Sequence, residues 1–184
     1  MLRLAQIVET AIVPALDLLP PHMASLEARV MLLSIGLQES RFEHRFQVVA
    51  DPTMKGPARG FWQFEKGSQS LGGGVWGVFK HHQSHEHLRL LCRERERSFD
   101  PVSIWQAIEV DDVLAAGLAR LLLWTDPKRL PAVGDVAAAW DCYERNWRPG
   151  KPHPEFWPRN HAAAMDEVFP PASAPAQPEK DDDL

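Results

Sequence analysis

Apolar positions recur at helical period over most of the chain, with one conspicuous interruption. The first nineteen residues can form an amphipathic helix, stopped by Pro20 and Pro21. Ser25, a favoured N-cap type, marks the start of a second helix. There Leu26, Val30, Leu33 and Leu37 form a core stripe, and Met31, Leu32 and Ile35 widen it until most of the helix surface is apolar. This helix is expected to be central and buried, and its last turn delivers Gln38, Glu39 and Ser40. Residues 40–74 then lose the period and carry Pro52, Gly56, Pro57, Gly60 and the triplet Gly72, Gly73 and Gly74, which predicts loops and short strands. Helices are expected again at about 101–108, 111–124, 134–147 and 155–168, with Leu114, Leu118, Leu121 and Leu122 striping the second of these. The predicted fold is mainly α, an α+β arrangement in which a helical domain over residues 1–169 carries a small β or irregular lobe.

Composition narrows the function classes. The 184 residues suit one domain and include 20 Lys+Arg against 25 Asp+Glu, for a net charge of -5. That balance argues against nucleic acid as a partner, which would need clustered basic residues in excess. Two cysteines, Cys92 and Cys142, are too few for a disulfide framework and read either as small buried hydrophobes or as one bridge. The best candidate for a membrane span, residues 11–19, is too short to cross a bilayer and contains Pro14 and Asp17, so no stable membrane insertion is expected. Glu9 precedes it and no small-residue cleavage site follows, so it makes a poor secretory signal. Synthesis in a cytoplasm is the expectation. From Pro170 onward the composition shifts to Pro, Ala and acidic residues, and residues 170–184 read as a disordered acidic tail.

The chemistry centres on Glu39. An acid ending an apolar helix beside an irregular segment can be desolvated, which raises its pKa and keeps it protonated near neutral pH. Cleavage of a glycosidic bond needs such an acid, because the leaving oxygen must be protonated as the bond breaks. An isolated Glu at a helix end is ordinarily just solvated; the neighbouring sequence changes the weighing. Glu39, Ser40, Arg41 and Phe42, followed by the run from Gly56 to Gln63 (Gly-Pro-Ala-Arg-Gly-Phe-Trp-Gln), resemble two ordered motifs of lytic transglycosylases related to goose-type lysozyme. Those motifs read Glu-Ser-x-Phe and Gly-Ala-x-Gly-Leu-Met-Gln. The resemblance covers about residues 25–150. It implies a lysozyme-like fold, Glu39 as sole catalytic acid and base, Ser40 orienting it or its loop, and Gln63 lining the sugar site. A third motif, Ala-x-x-x-Tyr-Asn-x-Gly, has its nearest counterpart around Tyr143, the only Tyr in the chain, with Glu144 where Asn is expected and Asn146 two residues on. Tyr143 is the expected partner of Glu39, and residues 146–152 are similar to a feature of phage-encoded members.

The remaining constellations carry less. Seven Trp residues include Trp62 and Trp76 flanking the presumed cleft, and Trp62, inside the second motif, is the candidate for stacking on a sugar; Trp105, Trp124 and Trp140 are assigned to the core. Residues 81–87 hold four of the eight His, among them His81 and His85 at a possible metal-pair spacing, but a solvated surface stretch accounts for them better. Glu43, Asp51, Glu65 and Asp141 are the candidates for a second carboxylate, none at a diagnostic spacing. The expected activity is cleavage of the β-1,4 bond between N-acetylmuramic acid and N-acetylglucosamine in peptidoglycan, by a monomer needing no cofactor or metal. The resemblance further implies a phage lysis enzyme, released from the host cytoplasm through a membrane pore made by another protein. A hydrolytic muramidase and a non-catalytic wall-binding or phage structural module stay open as alternatives.

Overall fold

The computed structural model describes residues 4–51 and 53–170. The N-terminal segment is helical from Leu4 to Asp17 in three pieces, α1 (Leu4–Ile7), a π-helical turn (Val8–Ile12) and α2 (Val13–Asp17). The sequence predicts one regular helix here. Pro14 explains the difference, since it has no N–H to give back along the helix and a wider turn accommodates it. A 3-10 turn (Pro21–Met23) leads into α3 (Leu26–Glu39), where Ser25 caps the helix by accepting from the amide of Ala28. Two antiparallel strands follow, β1 (Phe46–Val48) and β2 (Lys55–Arg59), pairing Phe46 with Arg59 and Val48 with Lys55. They are the only two strands among the described residues, extended by isolated antiparallel bridges between Arg59 and Phe64 and between Ser68 and Gly72.

Six further helices and a short 3-10 turn follow among the described residues: α4 (Gly74–Lys80), α5 (His85–Glu94), α6 (Pro101–Ala107), α7 (Asp112–Thr125), α8 (Val136–Trp147), the turn Pro154–Phe156, and α9 (Trp157–Val168). Asp100, Asp111 and Asp135 each accept a backbone N–H at the start of α6, α7 and α8. Asp111 is buried and also takes Arg95 and Arg97, so one carboxylate ties the end of α5 to the start of α7. The sequence did not predict α4 or α5. In α4 the glycine triplet hides the helix start. In α5 only Leu88, Leu91 and Cys92 turn inward from a His- and Arg-rich segment.

α7 is the hub. Nearly every residue from Val113 to Leu123 is buried, and the helix packs on α2, α3, α4 and α5. α3 is equally buried between α7 and α9. One continuous apolar core runs from Ile7 to Ala164. Of the expected tail, only Pro170 lies within the described residues. No helix among them is long and apolar enough to cross a membrane.

One close approach fixes the end of α3. Beyond Glu39 the backbone turns sharply, with Arg41 and Phe42 at φ of 54° and 55°, and the Phe42 ring folds back onto the helix over Gly36. A Cβ on Gly36 would sit 2.1 Å from Phe42 Cζ. The ring is 2 % exposed and meets Phe61 and Trp62 edge to face, so it has nowhere to retreat. Gly36→Ala is therefore expected to lower stability by about 1–3 kcal/mol despite the better helix propensity of Ala. Urea unfolding checks this, and an unchanged or raised midpoint would contradict the seating of Phe42 on α3.

Candidate active site

Three segments distant in sequence meet at Glu39. It occupies the last position of α3 and faces α8, where the Tyr143 hydroxyl donates to Glu39 Oε1 at 2.6 Å. The tyrosine ring is held by stacking on Trp157 of α9 (centroids 5.1 Å apart, 17° between planes), with Trp140 and Trp147 against it as well. Trp140, Tyr143 and Trp147 fall at spacings of three and four along α8, which puts them on one face. That aromatic stripe was legible in the sequence, although its role as the seat of Tyr143 was not. Gln38, just before Glu39, donates to the carbonyl of His153 and accepts from Asn160, pinning the last turn of α3 to the segment around α9.

The second motif is joined to the end of α3 through Ser40. β2 ends in a tight turn over residues 60–63, closed by Gln63 N–H donating to the Gly60 carbonyl at 3.0 Å. Gly60 has φ of 71°, and a Cβ there would lie 2.9 Å from the Ile108 carbonyl oxygen, so glycine is required. Ser40 joins the two motifs. Its hydroxyl donates to the Phe61 carbonyl at 2.7 Å and accepts from the Phe42 amide at 3.1 Å. It is a positioning residue. With only 8 % exposure and both roles filled inside the protein, it has little left to offer a substrate.

The remaining expectations are met unevenly. Trp62 is not a sugar platform: it is fully buried, its indole N–H donates to the Leu32 carbonyl at 2.8 Å, and its own carbonyl accepts from Trp147. The tight turn rotates it inward beneath α3, which spacing alone did not reveal. Gln63 is half-buried in the same turn at φ of 51°, its amide nitrogen donating to the carbonyls of Gly60 and His44. Trp105, assigned to the core, packs against it half-buried and also lines a groove, with Arg59 over its ring at 4.4 Å and its N–H donating to the Pro57 carbonyl. That groove, of about 670 Å³, runs along β2 and includes Lys66 and Trp105 but not Glu39, and its one lining acid, Glu65, is exposed. Sequence reading also missed Arg45, which forks onto Asp112 at 2.7 and 2.9 Å and stacks over Phe61, holding the β lobe to α7.

Burial pushes the Glu39 pKa up from the ordinary value of 4.5 to about 7, and the Tyr143 hydrogen bond partly opposes that rise. No other charge among the described residues contributes. Glu43, Asp51, Glu65 and Asp141 are all exposed. The tyrosine hydroxyl is itself pushed up by burial and by the neighbouring carboxylate, so it remains a donor. Cys92 and Cys142 are free, buried thiols raised to about 11, which removes them as nucleophiles. Among the described residues no three His, Cys, Asp or Glu are placed to hold a metal ion, and His81 and His82 stack on one another at the surface instead.

The arrangement is thus an acid that is half protonated at neutral pH, beside a fixed hydroxyl. Because the folded state holds the Glu39 proton more tightly than the unfolded chain, its contribution to stability is full below about pH 4.5. It is lost as pH rises through about 7. Wild type should therefore lose about 1–3 kcal/mol relative to Glu39→Gln between pH 4.5 and 7.5 in parallel unfolding titrations; a constant difference would deny the burial. Tyr143→Phe should move the Glu39 pKa further up, as followed by carboxyl carbon NMR. A fall would mean that the hydroxyl does not serve the ionised carboxylate. No protein-family model, characterised protein or solved structure matches this chain.

Proposed function

We propose that the protein cleaves the β-1,4 bond between N-acetylmuramic acid and N-acetylglucosamine in peptidoglycan as a lytic transglycosylase, on a lysozyme-like scaffold. The observation that carries this reading is Glu39, half-buried, raised to about 7 and held at 2.6 Å by Tyr143. An acid that keeps its proton near neutral pH and can then lose it suits a group that must act first as acid and then as base. The ordered motifs ending in Phe42 and Gln63, which Ser40 joins through the Phe61 carbonyl, support the same reading.

In this mechanism the Glu39 carboxyl gives its proton to the glycosidic oxygen as the bond to the muramyl anomeric carbon breaks. The N-acetyl oxygen of the same sugar bonds to that carbon and takes up the developing positive charge. The Glu39 carboxylate then removes the proton from the 6-hydroxyl, whose oxygen attacks the anomeric carbon and displaces the acetamido oxygen. The product is a 1,6-anhydro sugar, and Glu39 regains its starting proton. Tyr143, donating to Oε1, steadies the carboxylate between the two steps. Hydrolysis by the usual pair of acids needs a second carboxyl about 5–10 Å away. Among the described residues the only side chain hydrogen-bonded to Glu39 is Tyr143, and the transglycosylase route needs no second carboxyl. A role in phage-driven host lysis, with delivery through another protein's pore, belongs to the same proposal and rests on the resemblance of the motifs.

Mass analysis of fragments released from purified peptidoglycan tests the reading. Wild type should release fragments about 18 Da lighter than the hydrolytic disaccharide-peptides, the mass of one water not added across the bond. Glu39→Gln should remain folded and lose at least about 10²–10⁴-fold in rate. Full-mass reducing fragments would make the protein a muramidase. Release of nothing by either form would leave a wall-binding module, and full activity in Glu39→Gln would overturn the site.

A further inference from the structure

Arg120 lies in the middle of α7, the most buried helix of the fold, and is 3 % exposed. Its Nε donates to the Met23 carbonyl at 2.8 Å, and its guanidinium carbon sits 5.5 Å from the centre of the Trp124 ring. Nη1 is buried with no hydrogen-bond partner, and no carboxylate among the described residues pairs with the group. An isolated buried cation is among the most costly features a fold can keep, and a buried guanidinium is normally met by an anion.

The surroundings indicate where that anion would sit. Arg120 lines a pocket of about 360 Å³ near the end of α7, within the size range of small-ligand sites. Lys128 and Arg129 stand in its wall, and both are exposed. Ser25, the N-cap of α3, is there too, bringing the positive end of that helix to the same space. Trp124 and His22, tilted against each other at 5.1 Å, complete one side. The single acid in the wall, Asp126, is already engaged by Arg145 at 2.6 Å and by Asn146 at 2.8 Å. The pocket therefore presents three cations and no acid free to neutralise them.

We infer that this pocket is a binding site for a phosphate-bearing anion, with Arg120 as its buried anchor and Lys128 and Arg129 at its mouth. A guanidinium fork with two flexible ammonium or guanidinium groups outside matches the several oxygens of a phosphate. Trp124 and His22 offer aromatic surface to whatever organic group the phosphate carries. The site is separate from Glu39, so it stands whether or not the glycosidase reading does.

Isothermal titration of the full chain with sodium phosphate, against sodium chloride at matched ionic strength, tests it. Wild type should bind phosphate saturably and show a rise in melting temperature that chloride does not give. Lys128→Ala/Arg129→Ala, two exposed positions whose loss leaves the core intact, should weaken binding about tenfold or more. Arg120→Met should abolish it while keeping or raising thermal stability, because the uncompensated charge is gone. If Arg120→Met does not fold, the double variant decides alone. Co-sedimentation with phosphatidylglycerol vesicles but not phosphatidylcholine ones, lost in the double variant, would identify the source as a lipid headgroup. Phosphate binding without sedimentation would identify a soluble phosphate or phosphoester. No response beyond that to chloride, or equal affinity in the double variant, would overturn the site.

Discussion

A carboxyl group removed from water must be compensated or neutralised, and the end of α3 is organised around that constraint. Among the described residues Glu39 receives one hydrogen bond, from Tyr143, and pairs with no cation. A single neutral donor returns only part of the hydration that burial takes away, so the proton binds more tightly and the pKa climbs to about 7. A lysine or arginine at the same distance would have done the opposite and fixed the group as a permanent anion. The poise of Glu39 between its two protonation states follows from the choice of a hydroxyl partner on an aromatic ring.

Such a poise has value only if the two partners cannot drift apart, and the supports are stiff. The ring carrying the hydroxyl stacks on Trp157 at 5.1 Å and has Trp147 at 6.3 Å and Trp140 at 5.3 Å, so it is packed by three indoles. On the other side, α3 cannot unwind at its end because Phe42 is folded over Gly36, Ser40 is bonded to the β2 turn, and Gln38 is tied to His153 and Asn160. These contacts come from four separate stretches of chain. They converge because α3 and α9 pack along their lengths, with the buried Ser34 and His161 hydrogen-bonded across that interface at 3.1 Å.

How much of this a sequence can disclose depends on the range of the interaction. The α3 boundaries were readable because an N-cap at Ser25 and an apolar stripe are local signals. The position of Glu39 at its end, and hence the expectation of a desolvated acid, followed directly. Tyr143 came from the resemblance rather than from any periodicity, and it is indeed the hydrogen-bond partner. Trp62 became a stacking candidate through its place in the second motif, and a motif does not say which way a tight turn rotates a side chain; the Leu32 carbonyl that satisfies its indole lies thirty residues away. α5 stayed hidden because its inward face is three residues wide, so its period is masked by the charged majority.

Glu39 and Arg120 show how differently the two kinds of buried charge resolve. A carboxyl without a counter-ion can give up its charge by taking a proton, and Glu39 at about 7 does so within the physiological range. A guanidinium has no such exit. Burial lowers the Arg120 pKa only to about 10, so the group remains cationic at neutral pH. Trp124 and the Met23 carbonyl soften that charge without cancelling it, and the nearby Cys142, with its thiol raised to about 11, stays neutral and supplies no anion. The first situation is self-sufficient and produces a proton donor. The second is incomplete within the chain itself, and the missing half is an anion from outside.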